Sequence, residues 1–275
     1  MNSKTYKKFE KFILDFGIKI RKRQLLENYI KKLYDDFAVT PIIGVELEFY
    51  LSKDVAEEIS NSTNIILKKE KGRLQYEIDI EPQDDITKLI KRFYMIKQQL
   101  KQNAEKIGAE IIFAAKPYPE DYGSSMHIHF NLLNSKNINL FDNNNYKDLI
   151  ASGLCDSIKD DFLAFAPTHN CYLRYDKAFM APTKISYGNN NRSVAIRTPD
   201  AKPKRLEHRV ASSNADLYVV LFCILKSAYN TLSAKDYYVK HKKIYGNAFD
   251  EQYNLESLHL DMKSAYRNFA RSYSL

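Results

Sequence analysis

Glu46 and Glu48 stand two apart in Gly44-Val45-Glu46-Leu47-Glu48-Phe49, and Val45, Leu47, Phe49 and Leu51 alternate with them. Side chains of a strand alternate between its faces, so this run predicts a β-strand with one apolar face and two carboxylates together on the other. Two like charges side by side repel unless something positive lies near them. A lysine, solvent or a metal ion would serve. The pattern recurs. In Leu74 to Glu81 the apolar residues fall at 74, 76, 78 and 80, leaving Gln75, Glu77, Asp79 and Glu81 on the opposite face. In Met126 to Leu132 the polar face carries His127, His129 and Asn131. In Arg205 to Val210 it carries Arg205, Glu207 and Arg209, with His208 on the apolar side. A single strand of this kind describes a half-exposed sheet with a solvated face. Four of them, with Glu, His and Arg where Lys and Thr would be ordinary, suggest a sheet whose polar face lines a cavity, the alternative being a sheet whose acidic faces are merely solvated.

The residues able to bind a metal are Glu46, Glu48, Glu77, His127 and Glu207, with Glu70 just before its strand. Carboxylates and imidazole without thiolates suit Mg²⁺ or Mn²⁺ and disfavour structural zinc. The set exceeds what one Mg²⁺ usually takes from protein, so two or more ions are expected. Arg174, Arg192, Arg197, Arg205 and Arg209 cluster in the second half of the chain, with Glu207. Arginines beside a carboxylate cluster holding several metals are the apparatus of phosphoryl transfer, where charge on phosphate oxygens must be neutralised. No Gly-x-x-x-x-Gly-Lys loop is present, which excludes a P-loop nucleotide site.

The elements that must position these residues follow from periodicity. Tyr6 to Phe37 reads as helix, with Gly17 a candidate break and Pro41 closing the region. Ile86 to Ile107 is a second helix, capped by Asp84 or Asp85 and ended by Gly108. Ile111 to Ala115 reads as a short strand, and Tyr146 to Phe165, Asn214 to Leu232 and Ser257 to Ser272 as helices. Gly188-Asn189-Asn190-Asn191 reads as loop. Strands and helices interleave without a βαβ rhythm, so the expected class is α+β with a mostly antiparallel sheet.

Bulk properties narrow the classes. A chain of 275 residues with 44% apolar content is expected to be a soluble globular protein. Its longest apolar run, Leu217 to Leu225, is too short to span a bilayer, and no apolar segment of a signal peptide opens the chain. Cys155, Cys171 and Cys223 are scattered, which predicts reduced thiols and a cytoplasmic setting. The net charge of +8 is spread along the chain without an aromatic-interleaved basic motif, so solvated helix faces account for it better than nucleic acid does. His169, His208, His241 and His259 read as structural or surface residues.

Taken in order, several segments resemble the catalytic domain of the glutamine synthetase family. They are Gly44-Val45-Glu46-Leu47-Glu48-Phe49, Glu70 with Gln75-Tyr76-Glu77, and Lys116-Pro117 leading to Gly123-Ser124-Ser125-Met126-His127-Ile128-His129. Asn170-Cys171-Tyr172-Leu173-Arg174, Ala181-Pro182, Asn191-Arg192-Ser193, Ile196-Arg197-Thr198-Pro199 and Arg205-Leu206-Glu207-His208-Arg209 follow. Asn247-Ala248-Phe249-Asp250 and Tyr253-Asn254-Leu255 fit the family's C-terminal region.

The resemblance implies an incomplete barrel of mainly antiparallel strands backed by helices, as a catalytic domain over residues 41–275 after a helical segment at 1–40. It implies ATP and two or more Mg²⁺ or Mn²⁺ ions as cofactors. Glu48, Glu70 and Glu77 resemble ligands of the first metal, and Glu46, His127 and Glu207 those of the second. Arg174, Arg192 and Arg209 are the expected catalytic arginines. His129, Asn131, Arg197, Lys202 and Arg205 are expected on the nucleotide, and Tyr122, Gly123, Arg174, Met180 and Arg209 around the substrates. The implied reaction activates a side-chain carboxylate as an acyl phosphate, which an amine then converts to an amide.

Departures from the family qualify this. Only about forty mostly helical residues precede the Glu46 strand, and the family's N-terminal β-grasp domain has no counterpart there. Met180 occupies the position of the flap glutamate, and a thioether neither accepts a proton nor holds ammonium. Tyr122 replaces an asparagine of the glutamate loop, Asn131 replaces a serine, and the hairpin between Arg197 and Glu207 is short. The expectation is a ligase joining an amine other than ammonia to glutamate or a similar carboxylate. Its expected partners are those small molecules, with no nucleic acid and no membrane. A homo-oligomer would lack the usual ring contact through the β-grasp domain. The alternative is a catalytically weak relative that binds nucleotide and metal in a regulatory or partner role.

Overall fold

The computed structural model describes residues 3–19, 21–234, 238–258 and 261–274. Two helices, α1 (Ser3–Lys19) and α2 (Lys22–Phe37), open the chain. The break between them falls at Arg21, whose φ of 49° lies in the left-handed region, and Gly17 stays inside α1. Strand β1 (Val39–Leu51) follows at once. Pro41 lies within it, at a stretch where β1 pairs with a neighbour on one side only, and there a strand tolerates proline.

Next come α3 (Ala56–Thr63), β2 (Lys68–Lys69), β3 (Gln75–Gln83), α4 (Ile86–Lys106), β4 (Ile111–Ile112) and β5 (Met126–Asn134). The second half holds α5 (Asn144–Phe165), the short α6 (His169–Tyr172), β6 (Tyr187–Asn189), β7 (Ile196–Thr198), β8 (Leu206–His208), α7 (Leu217–Ser233), β9 (Lys243–Ile244) and α8 (Met262–Ser272). The strands form one sheet in the order β2-β3-β1-β5-β8-β7-β6-β9, with β4 paired to the end of β1. The ladders are antiparallel except at β7–β6 and β6–β9, which are parallel. The sheet curves without closing, so the α+β class and the incomplete, mainly antiparallel barrel are both observed.

Caps explain where the helices start. Asp85 accepts the Lys88 N–H at 2.9 Å to open α4, and Gly108 takes a φ of 65° just after that helix ends. Asp216 accepts the N–H groups of Tyr218 and Val219, so α7 begins after Asn214 instead of at it. Asp261 accepts the Ser264 N–H, so α8 starts later than the expected Ser257, which instead bridges to Lys184. The strand expected from Ile111 to Ala115 is two residues long, because beyond it the Phe113 carbonyl accepts a bond from the Ser213 hydroxyl.

The apolar sheet face carries Val45, Leu47, Phe49, Ile78, Met126, Ile128 and Phe130, which pack into one core with the helices. Inside that core Asp161 of α5 is fully buried and pairs with Lys226 of α7 at 3.0 Å and the Tyr273 hydroxyl at 2.7 Å. Cys155, Cys171 and Cys223 are free and buried. Among the described residues no helix is long and apolar enough to cross a membrane.

Candidate active site

Strand register assembles the polar faces. Glu48 of β1 stands opposite Glu77 of β3, and Glu46 stands opposite Asp79 of β3 and His127 of β5. Glu207 of β8 stands opposite His129 of β5 on one side and Arg197 of β7 on the other. Neighbouring strands place opposed side chains about 5 Å apart. The alternation read from four separate segments therefore converges on one patch.

One cavity takes in all six expected metal ligands: Glu46, Glu48, Glu70, Glu77, His127 and Glu207. Its remaining walls include Arg174, Arg192, Arg197, Arg209, Tyr122, Gly123 and Met180. A second cavity on the other side of Glu46 is lined by His129 and Arg205, with Asp79 and Pro203. There the Arg205 Nε–H donates to His129 Nδ1 at 3.0 Å, and His129 Nε2 faces Glu46 Oε1 at 2.9 Å. Asn131 and Lys202 line neither cavity. The Asn131 amide lies 3.4 Å from the Lys204 carbonyl, and Lys202 is exposed on the loop between β7 and β8.

The donor atoms converge in two groups that share Glu46. Glu46, Glu77 and His127 bring ligand atoms within 4.8 Å of one another, and so do Glu46, His129 and Glu207. Glu48 borders these groups, its Oε2 held by the Ser125 N–H at 2.8 Å. His127 is fixed by the Ser125 hydroxyl at 2.8 Å on Nε2, with Glu46 Oε2 at 3.3 Å from Nδ1. Glu207, 1% exposed, is clasped by Arg197 at 2.6 Å and Arg209 at 2.5 Å.

Charge is unevenly distributed over the patch. Burial pushes the Glu77 carboxyl up to about 9, reinforced by Glu46, Glu48, Glu70 and Asp79. Burial and Glu48 raise Glu70 as well. Burial opposes ionisation of Glu207, yet Arg209, the two histidines and Arg197 hold it at about 2. Glu46 is likewise buried, but bonds from His127 and His129 keep it well below the usual carboxylate range. One end of the cavity thus crowds carboxyls that resist ionising together without a cation, and the other is balanced by arginine. An all-oxygen-and-imidazole donor set of this kind fits Mg²⁺ or Mn²⁺. The Nε–H groups of Arg174, Arg197 and Arg209 are buried without a protein partner, which fits anionic oxygens entering the same space.

The substrate side is built from two loops. Gly123 packs on Arg174 so closely that a Cβ there would lie 2.3 Å from Arg174 Cγ and 2.9 Å from the Ala115 carbonyl. Arg174 is 3% exposed and its Nη2 donates to the Val210 carbonyl, so most of its side chain is committed to holding the wall. The Tyr50 hydroxyl donates to the Tyr122 carbonyl at 2.8 Å, and the Gln75 amide to the Gly123 carbonyl at 2.9 Å. Opposite, Met180 takes a φ of 57° and is 38% exposed beside Phe179, whose ring meets Tyr122 edge-on at 5.4 Å. Lys116 Nζ sits 3.5 Å from the Phe179 ring centroid and also donates to the Asp121 carbonyl.

The sequence reading assigned no role to Ser125, Lys116 or Phe179. Ser125 carried a usable signal, since it precedes His127 by two and so shares its strand face. The other histidines lie elsewhere. His208 is buried against Phe165 at 4.6 Å, and burial, with help from His127, pushes it down to about 3. His169 stacks on Tyr6 and His241 pairs with Asp156, while His259 lies outside the described residues.

Residues 65–275 match the family described as "Glutamine synthetase, catalytic domain". The chain is 32% identical over 157 residues to gamma-glutamylputrescine synthetase PuuA of Escherichia coli (strain K12), covering 54% of this chain and 33% of that protein. It is 28% identical over 221 residues to glutamate--isopropylamine ligase of a Pseudomonas species, covering 76% of this chain and 45% of that one. These matches span less than half the length of the relatives. The solved structure described as "GmaS/ADP complex-Conformation 1" superposes with a TM-score of 0.79 at 22% identity, covering 91% of this chain and 68% of that one. The chain belongs to the glutamine synthetase family, and its fold is that family's catalytic-domain fold.

Proposed function

We propose that this chain carries out ATP-dependent ligation of a carboxylate to an amine, through an acyl phosphate, with glutamate or a similar acid as the carboxylate. The observation that carries the reading is the convergence of Glu46, Glu77, His127 and Glu207 from four strands beside Arg197 and Arg209. Divalent ions held by these carboxylates and His127 would neutralise phosphate oxygens during transfer. Arg197 and Arg209, oriented by Glu207, present N–H groups to the same oxygens. Arg209 and the unpartnered Nε–H of Arg174 face the acid beside the Tyr122–Gly123 loop. Phe179, Met180 and Tyr122 form an apolar wall that keeps water from the activated acid. The γ-phosphoryl group would pass from ATP to the acid's oxygen with release of ADP. The neutral amine then attacks the acyl carbon, forming the C–N bond as the acyl C–O bond breaks, and its proton leaves with the departing phosphate.

An amine other than ammonia suits this wall. Met180 offers dispersion contact to an alkyl chain and no charge for ammonium. The named activities of the two relatives support the same reading. The test is ADP release with ATP, Mn²⁺, glutamate and a panel of amines. Turnover with alkyl amines above that with ammonia is expected; turnover with ammonia alone would overturn the amine assignment.

A further inference from the structure

A third cavity adjoins the catalytic one and shares Met180 and Arg192 with it. It has no lining residue in common with the cavity of His129 and Arg205, so it lies away from the proposed nucleotide side. Its other walls are Asn189, Asn190, Asn191 and Ser193 from the β6–β7 turn, and Tyr245, Gly246 and Asn247 beyond β9. These two segments are braced together. The Asn191 amide donates to the Gly246 carbonyl at 2.6 Å, and the Ala248 N–H donates to the Ser193 hydroxyl at 2.8 Å. The parallel pairing of β6 with β9 fixes their register at Gly188 and Ile244. Asn190 is engaged from below, its Oδ1 accepting from Arg197 and its N–H bonding the Thr198 carbonyl at 2.7 Å.

The chemistry of this groove is distinctive. Asn191 is spent on Gly246 and Ser193, and the Oδ1 atoms of Asn190 and Asn247 accept from Arg197 and the Phe249 N–H. That leaves the Asn189 amide and the amide nitrogens of Asn190 and Asn247 to face the groove; Arg192 is its charged residue, and the lining includes no carboxylate. An ammonium entering it would meet Arg192, whose counter-charge Glu70 lies on the catalytic side and not in the groove, whereas a hydroxyl, amide or carboxylate would find donors. Met180, a flexible side chain, stands at the junction with the catalytic cavity.

We propose that this asparagine-lined groove is a subsite for the far end of the amine substrate, and that it takes an amine whose chain ends in a hydrogen-bonding, non-cationic group. The assignment rests on the ligase reading above. It distinguishes this chain's substrate from a diamine, whose second ammonium the groove disfavours.

The experiment measures ADP release with ATP, Mn²⁺ and glutamate against pentylamine, aminopentanol and pentanediamine. Aminopentanol is expected to exceed pentanediamine in kcat/KM by about fivefold, the most one half-exposed charge contact supplies. Asn189→Asp, with Asn247→Asp as an independent second variant, places a carboxylate in the groove. Each is expected to move the diamine-to-aminopentanol ratio about fivefold toward the diamine, a ratio taken within one variant and so insensitive to its folded fraction. Turnover with all three amines at ratios unchanged by either variant overturns the subsite and leaves the ligase reading standing. ADP release with none of them, in protein that still forms a hydroxamate from ATP, glutamate and hydroxylamine, overturns the subsite alone; absence of both overturns the ligase reading and the subsite with it.

Discussion

Glu207→Gln tests the clasp at the centre of the site. The substitution keeps the shape of the side chain and removes one charge. Glu207 is 1% exposed, and both its oxygens are taken, by Arg197 at 2.6 Å and by Arg209 at 2.5 Å. Glutamine can satisfy one guanidinium through its carbonyl, but its amide would face the other donor to donor. Breaking a buried ion pair from one side costs about 3–5 kcal/mol. The protein's own electrostatics gives a similar figure. Holding this carboxyl at about 2 against an ordinary 4.5 corresponds to about 3 kcal/mol in favour of the ionised form. Arg197 borders the cavity and retains 15% exposure, which lets water soften the loss, so we expect about 2–3 kcal/mol. Urea unfolding at neutral pH with a chelator present isolates this term from metal binding. A difference below about 0.5 kcal/mol, the range of ordinary surface changes, would refute the reasoning.

Three further perturbations follow. Lys226→Met leaves Asp161 buried with neutral partners, the Tyr273 hydroxyl and the Cys223 thiol, and a loss of about 3–5 kcal/mol in thermal or urea unfolding is expected. Gly123→Ala drives a methyl into Arg174 and the Ala115 carbonyl, so the KM for the carboxylate should rise at least about tenfold while Mn²⁺ affinity, set on the strands, stays within about twofold. Lys97 is pushed down to about 8, first by burial and then by Lys101. Its depressed value means the unfolded chain binds more protons between about 8 and 10.5, so this residue's destabilisation is full below pH 8 and fades as pH rises through that window. Lys97→Met should therefore raise stability by about 1 kcal/mol at pH 7, a gain that shrinks above pH 8 in unfolding curves.

The four polar-faced segments were legible because a period of two survives in single-sequence reading whenever one face is buried. Val45, Leu47 and Phe49 reveal Glu46 and Glu48 by alternation alone, and the same holds for Glu77, His127 and Glu207. Strands β6, β7 and β9 were not legible, since two or three residues carry little period; β8 is as short, and was read only because the alternation runs on through Arg205 and Arg209 beside it. The cost of missing them falls on Arg197. Its residue type was noticed, but its clasp on Glu207 depends on β7 pairing with β8. The asparagine-lined groove was hidden for the same reason, because it forms only when β9 docks beside β6. Helix starts at Asp216 and Asp261 were readable as caps, but apolar periodicity extended past them. How metal ligands divide between ions was carried by family resemblance alone. Geometry groups Glu77 with Glu46 and His127, because register sets Glu46 between β3 and β5.

The central claim is that the chain activates a carboxylate by phosphorylation. Hydroxylamine traps acyl phosphates as hydroxamates without calling on the amine-specific wall at Met180. Incubation with ATP, Mn²⁺, glutamate and hydroxylamine should give a hydroxamate that requires each component and is lost in Glu46→Gln. Binding of ATP and Mn²⁺ without any hydroxamate, for glutamate and for related dicarboxylates alike, would contradict the account.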